Sequence, residues 1–257
     1  MPEGDSAHRA ARALHAALAD DVLTRFDLRV PRVATADLRG ERVESVRAVG
    51  KHILHRIGST VLHTHLKMEG EWHVHRLGER WRRPGFRARA ILDTATRSTV
   101  VFDLGIVELL PREREHEITD RLGPDPLDDA WDPDEAVRRL GADPRPAHVA
   151  LLDQGNVAGF GNEYANELLF LRGIDPRTPM TAVDVAPLVD LGARAIRSNL
   201  DRRVRTFTGD TRRGQGRWIH DRGGRPCRRC GTLIEEIALG ARPDAQRRVF
   251  WCPACQR

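Results

Sequence analysis

Apolar residues recur at helical spacing close to the N-terminus. Ala7, Ala10, Ala11, Leu14, Ala17 and Leu18 fall on one face of a helix predicted over residues 5 to 19, with Asp5 or Ser6 placed to cap it. From about residue 22 to 110 the period shortens. Val43–Val49, His52–Ile57, Thr60–Leu66, Glu71–Leu77, Arg87–Leu92 and Thr99–Leu104 alternate or are β-branched, and Gly, Pro and charged residues separate them. Short strands in that succession, without helices between them, predict a β-sandwich or barrel and not a βαβ array.

Residues 113 to 131 are charged and contain Leu122-Gly123-Pro124-Asp125-Pro126, the pattern of a linker. Helical patterns follow at Asp132–Leu140, Ala147–Asp153, Asn162–Leu171 and Thr181–Leu200, the last capped near Thr181. The stretch 205 to 225 is rich in Gly and Arg and reads as a loop. The expected architecture is α+β and multidomain. An N-terminal β-sandwich domain with its helix occupies 1–112, a helical domain 132–217, and a small cysteine-bearing hairpin 218–257.

Composition narrows the class. Of the 257 residues, 40% are hydrophobic, enough for packed cores. No apolar run approaches the roughly 20 residues of a membrane helix, and no signal peptide is visible, so the expected compartment is the cytoplasm, with no membrane partner. The net charge of +5 and a pI near 9.5 suit a polyanionic partner. Lys51 and Lys67 are the only lysines among 42 basic residues. Arginine binds phosphate but cannot serve as a deprotonatable amine, which draws attention to those two positions.

All four cysteines lie near the C-terminus, as Cys227-x-x-Cys230 and Cys252-x-x-Cys255 with 21 residues between the pairs. Two such knuckles place four thiolates around one tetrahedral Zn²⁺; disulfides or redox thiols are the rival reading. A hairpin this short buries little core, so the metal would supply folding energy, and four protein ligands leave no open position for catalysis. Upstream, Leu151-Leu152-Asp153-Gln154-Gly155-Asn156-Val157-Ala158-Gly159-Phe160-Gly161-Asn162-Glu163-Tyr164 joins two helices. Gly159 and Gly161 permit positive φ, and the N–H groups opening the second helix, with Asn162, suit a DNA phosphate. An ordinary tight helical hairpin would read the same way.

Together these features resemble the Fpg/Nei family of DNA glycosylases. The opening Met-Pro-Glu-Gly, the Gly50-Lys51-His52 turn, the helix–two-turn–helix sequence above and the finger ending Cys-Pro-x-Cys-Gln occur in the family's order and span nearly the whole chain. The Met-Pro-Glu-Gly-Asp opening and Thr208-Gly209-Asp210-Thr211-Arg212 look most like the endonuclease VIII (Nei) branch in its actinobacterial form. The resemblance implies a bifunctional DNA glycosylase and abasic-site lyase of base excision repair. Its partner would be double-stranded DNA carrying oxidised bases or abasic sites, and the protein would be a monomer.

The chemistry follows from the residues. With Met1 removed, Pro2 bears a secondary amine that attacks the sugar C1′ and forms an iminium directly. The resemblance assigns Glu3 to protonating the ring oxygen and shuttling protons during β,δ-elimination. It assigns Lys51 to the phosphate beside the lesion, where its charge also disfavours protonation of the amine. Asn162 and a finger arginine, Arg242 or Arg247, would hold the phosphates flanking a flipped nucleotide. Spacing to Cys252 favours Arg247; the Gly240-Ala241-Arg242 context favours Arg242. Met68, in His65-Leu66-Lys67-Met68-Glu69-Gly70, is the candidate for filling the vacated stack, against a core Met at a strand end.

Two departures from the family pattern stand out. Asp103-Leu104-Gly105 lacks the Arg and Phe with which the 8-oxoguanine branch faces the orphaned base, which favours pyrimidine lesions. Asp5-Ser6 stands where the branches usually carry Pro-Glu, which puts in doubt a second acid assisting the lyase step. His63, His65, His73 and His75 alternate along two strands without an evident partner acid, so metal binding is not expected of them. The alternatives are a purine-lesion enzyme of the same family and a damage-binding protein that cleaves nothing.

Overall fold

The computed structural model describes residues 2–202 and 204–257; Met1, the first residue of the opening motif, lies outside them. The chain divides between Arg121 and Leu122 into two compact units. That division falls inside the 113–131 stretch.

The first unit begins with α1 (Gly4–Leu18), whose Ala7, Ala11, Leu14 and Leu18 are buried at intervals of three and four. Neither Asp5 nor Ser6 caps it. The amides of Ser6 and Ala7 both donate to the Glu3 carbonyl, so the helix starts earlier and Asp5 sits in its first turn. Eight strands follow: β1 (Arg25–Leu28), β2 (Val43–Val49), β3 (His52–Ile57), β4 (Thr60–His65), β5 (Glu71–Arg76), β6 (Ala88–Asp93), β7 (Arg97–Phe102) and β8 (Ile106–Pro111). They form two antiparallel four-stranded sheets, ordered β2-β3-β4-β8 and β1-β6-β7-β5. Ile53, Ile57 and Leu62 from one sheet, Ala90, Leu92 and Val101 from the other, and the apolar face of α1 share a single core. This is the expected sandwich, with α1 completing it.

The second unit is helical: α2 (His116–Thr119) precedes it, and α3 (Pro133–Gly141), α4 (Ala147–Leu152), α5 (Asn162–Arg172) and α6 (Val185–Leu200) build it. Asp132 caps α3 by accepting from the Glu135 amide at 3.0 Å. The last helix starts at Val185, not Thr181. A start at Val185 puts Pro187 in the first turn, where its missing N–H costs nothing; a start at Thr181 would put it in the interior. Tyr164, Leu168, Leu188 and Ile196 lie at the centre of this bundle.

A two-stranded hairpin, β9 (Glu235–Leu239) and β10 (Arg247–Trp251), closes the chain. It shares a small core with the helices: Phe170 of α5 packs with Ile219, Ile234, Phe250 and Cys252.

Candidate catalytic cavity, helical turn and cysteine cluster

In the first unit, Pro2 precedes α1 and lines an open cavity of about 760 Å³. Ser6, Arg9 and Ala10 of α1 form one wall; Met68, Glu69 and Trp72 form another; Arg83 and Arg87 close a third. Glu3, the next residue, is buried at 1% exposure. Lys51 occupies the two-residue turn joining β2 to β3, half-buried, next to Gly50 at φ 58°. A two-residue hairpin with a left-handed first position is the strand connection whose twist suits an antiparallel pair, and glycine takes that φ without strain.

Met68 sits at the tip of the loop after β4 and is 64% exposed, so the reading of it as a core residue fails. The loop is tightly specified. Gly70 donates to the Leu66 carbonyl at 2.9 Å, and a Cβ on Gly70 would lie 2.4 Å from that same oxygen. Lys67 takes φ 54°, and its amide donates to His65 Nδ1 at 2.9 Å. Gly105 leaves the space that the Lys67 stem fills. Asp103, in the segment that departs from the 8-oxoguanine branch, pairs with Arg83 at 3.2 Å and Arg87 at 2.7 Å.

Three of the four histidines have acid partners, contrary to the sequence reading. His63 Nδ1 lies 3.1 Å from Glu108, His73 Nε2 3.2 Å from Glu71 and His75 Nδ1 3.6 Å from Glu79. Cross-strand register supplies the first of these acids, which a one-dimensional pattern does not display: Glu108 of β8 stands opposite His63 of β4. Glu71 and Glu79 are near neighbours of their histidines in the sequence. His52 Nδ1 lies 2.8 Å from His63 Nε2. Burial holds His52 near pKa 4 and His65 near 3, with the neighbouring imidazoles and both lysine charges adding to the effect.

In the second unit, the turn between α4 and α5 is built on side chains. Gln154 donates to the carbonyls of Leu152 and Phe160, both at 2.9 Å, and accepts from the Gly159 amide at 3.0 Å. Gly159 has φ 96°, as its residue type allows; Gly161 does not, and stands at φ −126° as the residue before α5. Asn162, the first residue of α5, is nearly buried. Its Oδ1 lies 2.9 Å from His148 Nε2, and its Nδ2 donates to the Arg248 carbonyl at 2.9 Å.

Two further acids on α5 hold the 205–220 stretch, and sequence reasoning missed both. Glu163 pairs with Arg205 at 2.7 Å and Arg217 at 2.8 Å. Glu167, one turn on, accepts from the amides of Trp218, Ile219 and His220 at 2.8–2.9 Å; burial nevertheless pushes its carboxyl up to about 7. The only sequence signal was a pair of acids on an otherwise buried helix, which is unusual without partners.

The four cysteine Sγ atoms all lie within 4.8 Å of one another, and none is in a disulfide. Four thiolates about 2.3 Å from a common Zn²⁺ stand just under 4 Å apart, so the cluster fits a tetrahedral site. It is the only such group of three or more donors among the described residues. Arg242 precedes the short turn Pro243–Ala245 at the hairpin tip, exposed, with Asp244 at 3.5 Å. Arg247 opens β10, also exposed, with no carboxylate at ion-pair distance among the described residues.

Residues 1–104 match the formamidopyrimidine-DNA glycosylase N-terminal domain, and residues 122–211 match the H2TH domain of the same glycosylase. The chain is 46% identical over its full length to the DNA-(apurinic or apyrimidinic site) lyase Nei2 of Mycolicibacterium smegmatis, covering 99% of that protein. It is 45% identical to the probable endonuclease 8 2 of Streptomyces coelicolor, covering all of this chain and 94% of that one. Among solved structures, Lactococcus lactis formamidopyrimidine-DNA glycosylase bound to DNA containing an abasic site superposes with a TM-score of 0.79 at 21% identity, over 99% of each chain. Full-length identity at this level, with both domains matched in order, shows that the chain belongs to the Fpg/Nei family of formamidopyrimidine-DNA glycosylases and endonucleases VIII.

Proposed function

We propose that this protein is a bifunctional DNA glycosylase and abasic-site lyase that excises oxidised bases, pyrimidines foremost, from double-stranded DNA. The observation that carries the reading is the position of Pro2 on the wall of a cavity wide enough for a flipped nucleotide, with the exposed Met68 across from it. Once Met1 is removed, the Pro2 nitrogen bonds to C1′ while the glycosidic bond breaks. The base departs with that electron pair and the nitrogen sheds its proton. The nitrogen lone pair then expels the ring oxygen from C1′, Glu3 protonates that oxygen, and the opened sugar is left as an iminium. Loss of the C2′ proton then expels the 3′ phosphate, and a second elimination expels the 5′ phosphate.

Glu3 is the acid and base nearest to this chemistry in the chain and moves protons at the ring oxygen and C2′. Lys51, Asn162 and the hairpin-tip arginines Arg242 and Arg247 hold phosphates. Arg247 is the more available of the two, since Asp244 neutralises part of Arg242. Met68 fills the space the flipped base vacates. The relatives' names support this assignment: the Mycolicibacterium protein is named an abasic-site lyase. The preference for pyrimidines rests on Asp103-Leu104-Gly105. There Asp103 is committed to Arg83 and Arg87, and the segment offers neither the Arg nor the Phe that faces an orphaned base in the 8-oxoguanine branch.

Cys227, Cys230, Cys252 and Cys255 would hold one Zn²⁺, which supplies folding energy to the hairpin and takes no part in the reaction. Borohydride trapping tests the reading. Pro2→Thr is expected to abolish the covalent adduct with oxidised-pyrimidine and abasic duplexes while DNA binding survives. Trapping at full yield by that variant would mean another nucleophile.

A further inference from the structure

The connection from β5 to β6 holds a feature that the proposed chemistry does not use. Residues 76 to 89 contain six arginines and one acid, Glu79, together with Trp81 and Phe86. Phe86 is 80% exposed, the most exposed large apolar side chain among the described residues, and Leu77 in the same segment is also exposed.

This exposure is built in. Arg29 donates to the Gly85 carbonyl at 2.9 Å, and Arg89 donates to the Phe86 carbonyl at 3.0 Å. The Arg87 amide closes a tight turn onto the Pro84 carbonyl. Trp81 packs edge-on against Phe102 and rivets the segment to the buried Ala88, Ile91 and Val100. Arg83 and Arg87, tied to Glu71 and Asp103, join the segment to the cavity that Pro2 lines. The backbone beneath Phe86 is thus fixed from three sides while its ring is left in water. Arg80 and Arg82 stand exposed beside it, with no carboxylate at ion-pair distance among the described residues.

Fixed arginines beside an aromatic face are the chemistry that binds single-stranded nucleic acid: cations take the phosphates and the ring stacks on a base. A fully paired duplex offers no free base face along its length, so the ring selects a strand with an unpaired base. We propose that the outer part of the β5–β6 connection is a second DNA-contacting surface beside the lesion cavity, on which Phe86 stacks an unpaired base and Arg80 and Arg82 hold the phosphates beside it. The proposal rests on the reading of the protein as a DNA enzyme and adds a preference for lesions near unpaired DNA.

The test compares undamaged blunt duplexes with duplexes carrying a single-stranded tail, by fluorescence anisotropy on the full chain. The wild-type protein is expected to bind the tailed duplex more tightly. Phe86→Ala is expected to remove roughly fivefold to hundredfold of that affinity, and Phe86→Trp to retain it. Arg80→Gln combined with Arg82→Gln is expected to lower the slope of log affinity on log salt by about 0.7 for each phosphate that the variant no longer neutralises. Borohydride trapping of a blunt abasic duplex is expected to be unchanged in Phe86→Ala, which also reports that the variant is folded.

Equal binding of tailed and blunt DNA by the wild-type protein overturns the proposal, as does tailed-duplex affinity within twofold of wild type in Phe86→Ala. The second result would leave the surface to an acidic protein partner. An equal loss on both DNAs would make it a duplex backbone contact and overturn the stacking assignment. Failure of the wild-type protein to bind or trap any DNA would instead sink the enzymatic reading on which the proposal stands.

Discussion

The side-chain amide of Asn162 donates to the backbone carbonyl of Arg248, joining the first residue of α5 to the strand that leads into Cys252. One turn further along, Asn166 accepts from the Phe250 amide at 2.6 Å, so the free edge of β10 is stitched to the helix at two points. The cysteine cluster and the helix start are therefore one mechanical unit. Removing the metal is expected to release β10 and to cost Asn162 its partner. Chelation, or Cys252→Ser, should weaken DNA binding by on the order of tenfold or more, with altered Trp251 fluorescence. Unchanged affinity after verified metal loss would separate the hairpin from DNA binding.

Met68 packs into no core, so Met68→Ala is expected to change stability by less than about 0.5 kcal/mol. Its effect should fall on the reaction. Flipping a base out of a duplex costs a few kcal/mol of stacking, and a side chain that fills the gap offsets part of it. Single-turnover excision from duplex DNA should slow by on the order of tenfold, with less change on a single-stranded substrate. Equal slowing on both would mean that Met68 acts only as part of the cavity wall and does not fill the vacated stack.

Glu163 is buried between two arginines, and Arg205 is itself only 11% exposed on its side chain. Deleting the acid leaves a buried cation without a counter-charge. Glu163→Ala is expected to destabilise the second unit by about 3 kcal/mol, the low end for a broken buried pair because Arg217 remains partly solvated. Thermal unfolding would show it, and protease sensitivity should rise in the 205–220 stretch. A change in melting temperature within error would mean that Glu167 alone holds that stretch.

The histidines of the first unit set its acid stability. Burial lowers His52 and His55 to about 4 and His65 to about 3, from an ordinary value near 6.5. Each binds a proton more readily in the unfolded chain. The stability they contribute is full above about pH 6.5 and is lost as pH falls through about 4. Hydrogen-exchange protection of β3 and β4, corrected for intrinsic rates, should drop over that window, and His55→Leu should flatten the drop. Glu167, raised to about 7, acts with the opposite sign in the second unit: its contribution is full below about 4.5 and lost as pH rises through 7. Flat protection from pH 7 to 5 would contradict the assignment of neutral buried imidazoles.

The sandwich strands were legible because alternation and β-branching mark a half-buried surface, and β2 and β3 fall where the pattern put them. Strand β1 was not legible, as its four residues Arg25–Leu28 are too short to show a period. The cysteine cluster was legible because knuckle spacing is a local property. The pairing of His63 with Glu108, the Arg83 and Arg87 wall of the cavity and the clamp of Glu163 and Glu167 were not. Each depends on register or on contacts between residues tens of positions apart, as with Glu163 and Arg217. The arginine-rich 76–89 segment was visible as composition, but only the structure shows its backbone fixed and Phe86 turned outward.

The central claim is that the nitrogen of Pro2 is the nucleophile. The most direct measurement is peptide mapping by mass spectrometry of the adduct that borohydride traps between the wild-type protein and an abasic duplex. Lys51 and Lys67 are the only lysine amines in the chain, so the candidates are few. The deoxyribose fragment is expected on the peptide that begins with Pro2, in protein from which Met1 has been removed. A fragment on Lys51 or Lys67, or a stable adduct in protein that keeps Met1, would contradict the account.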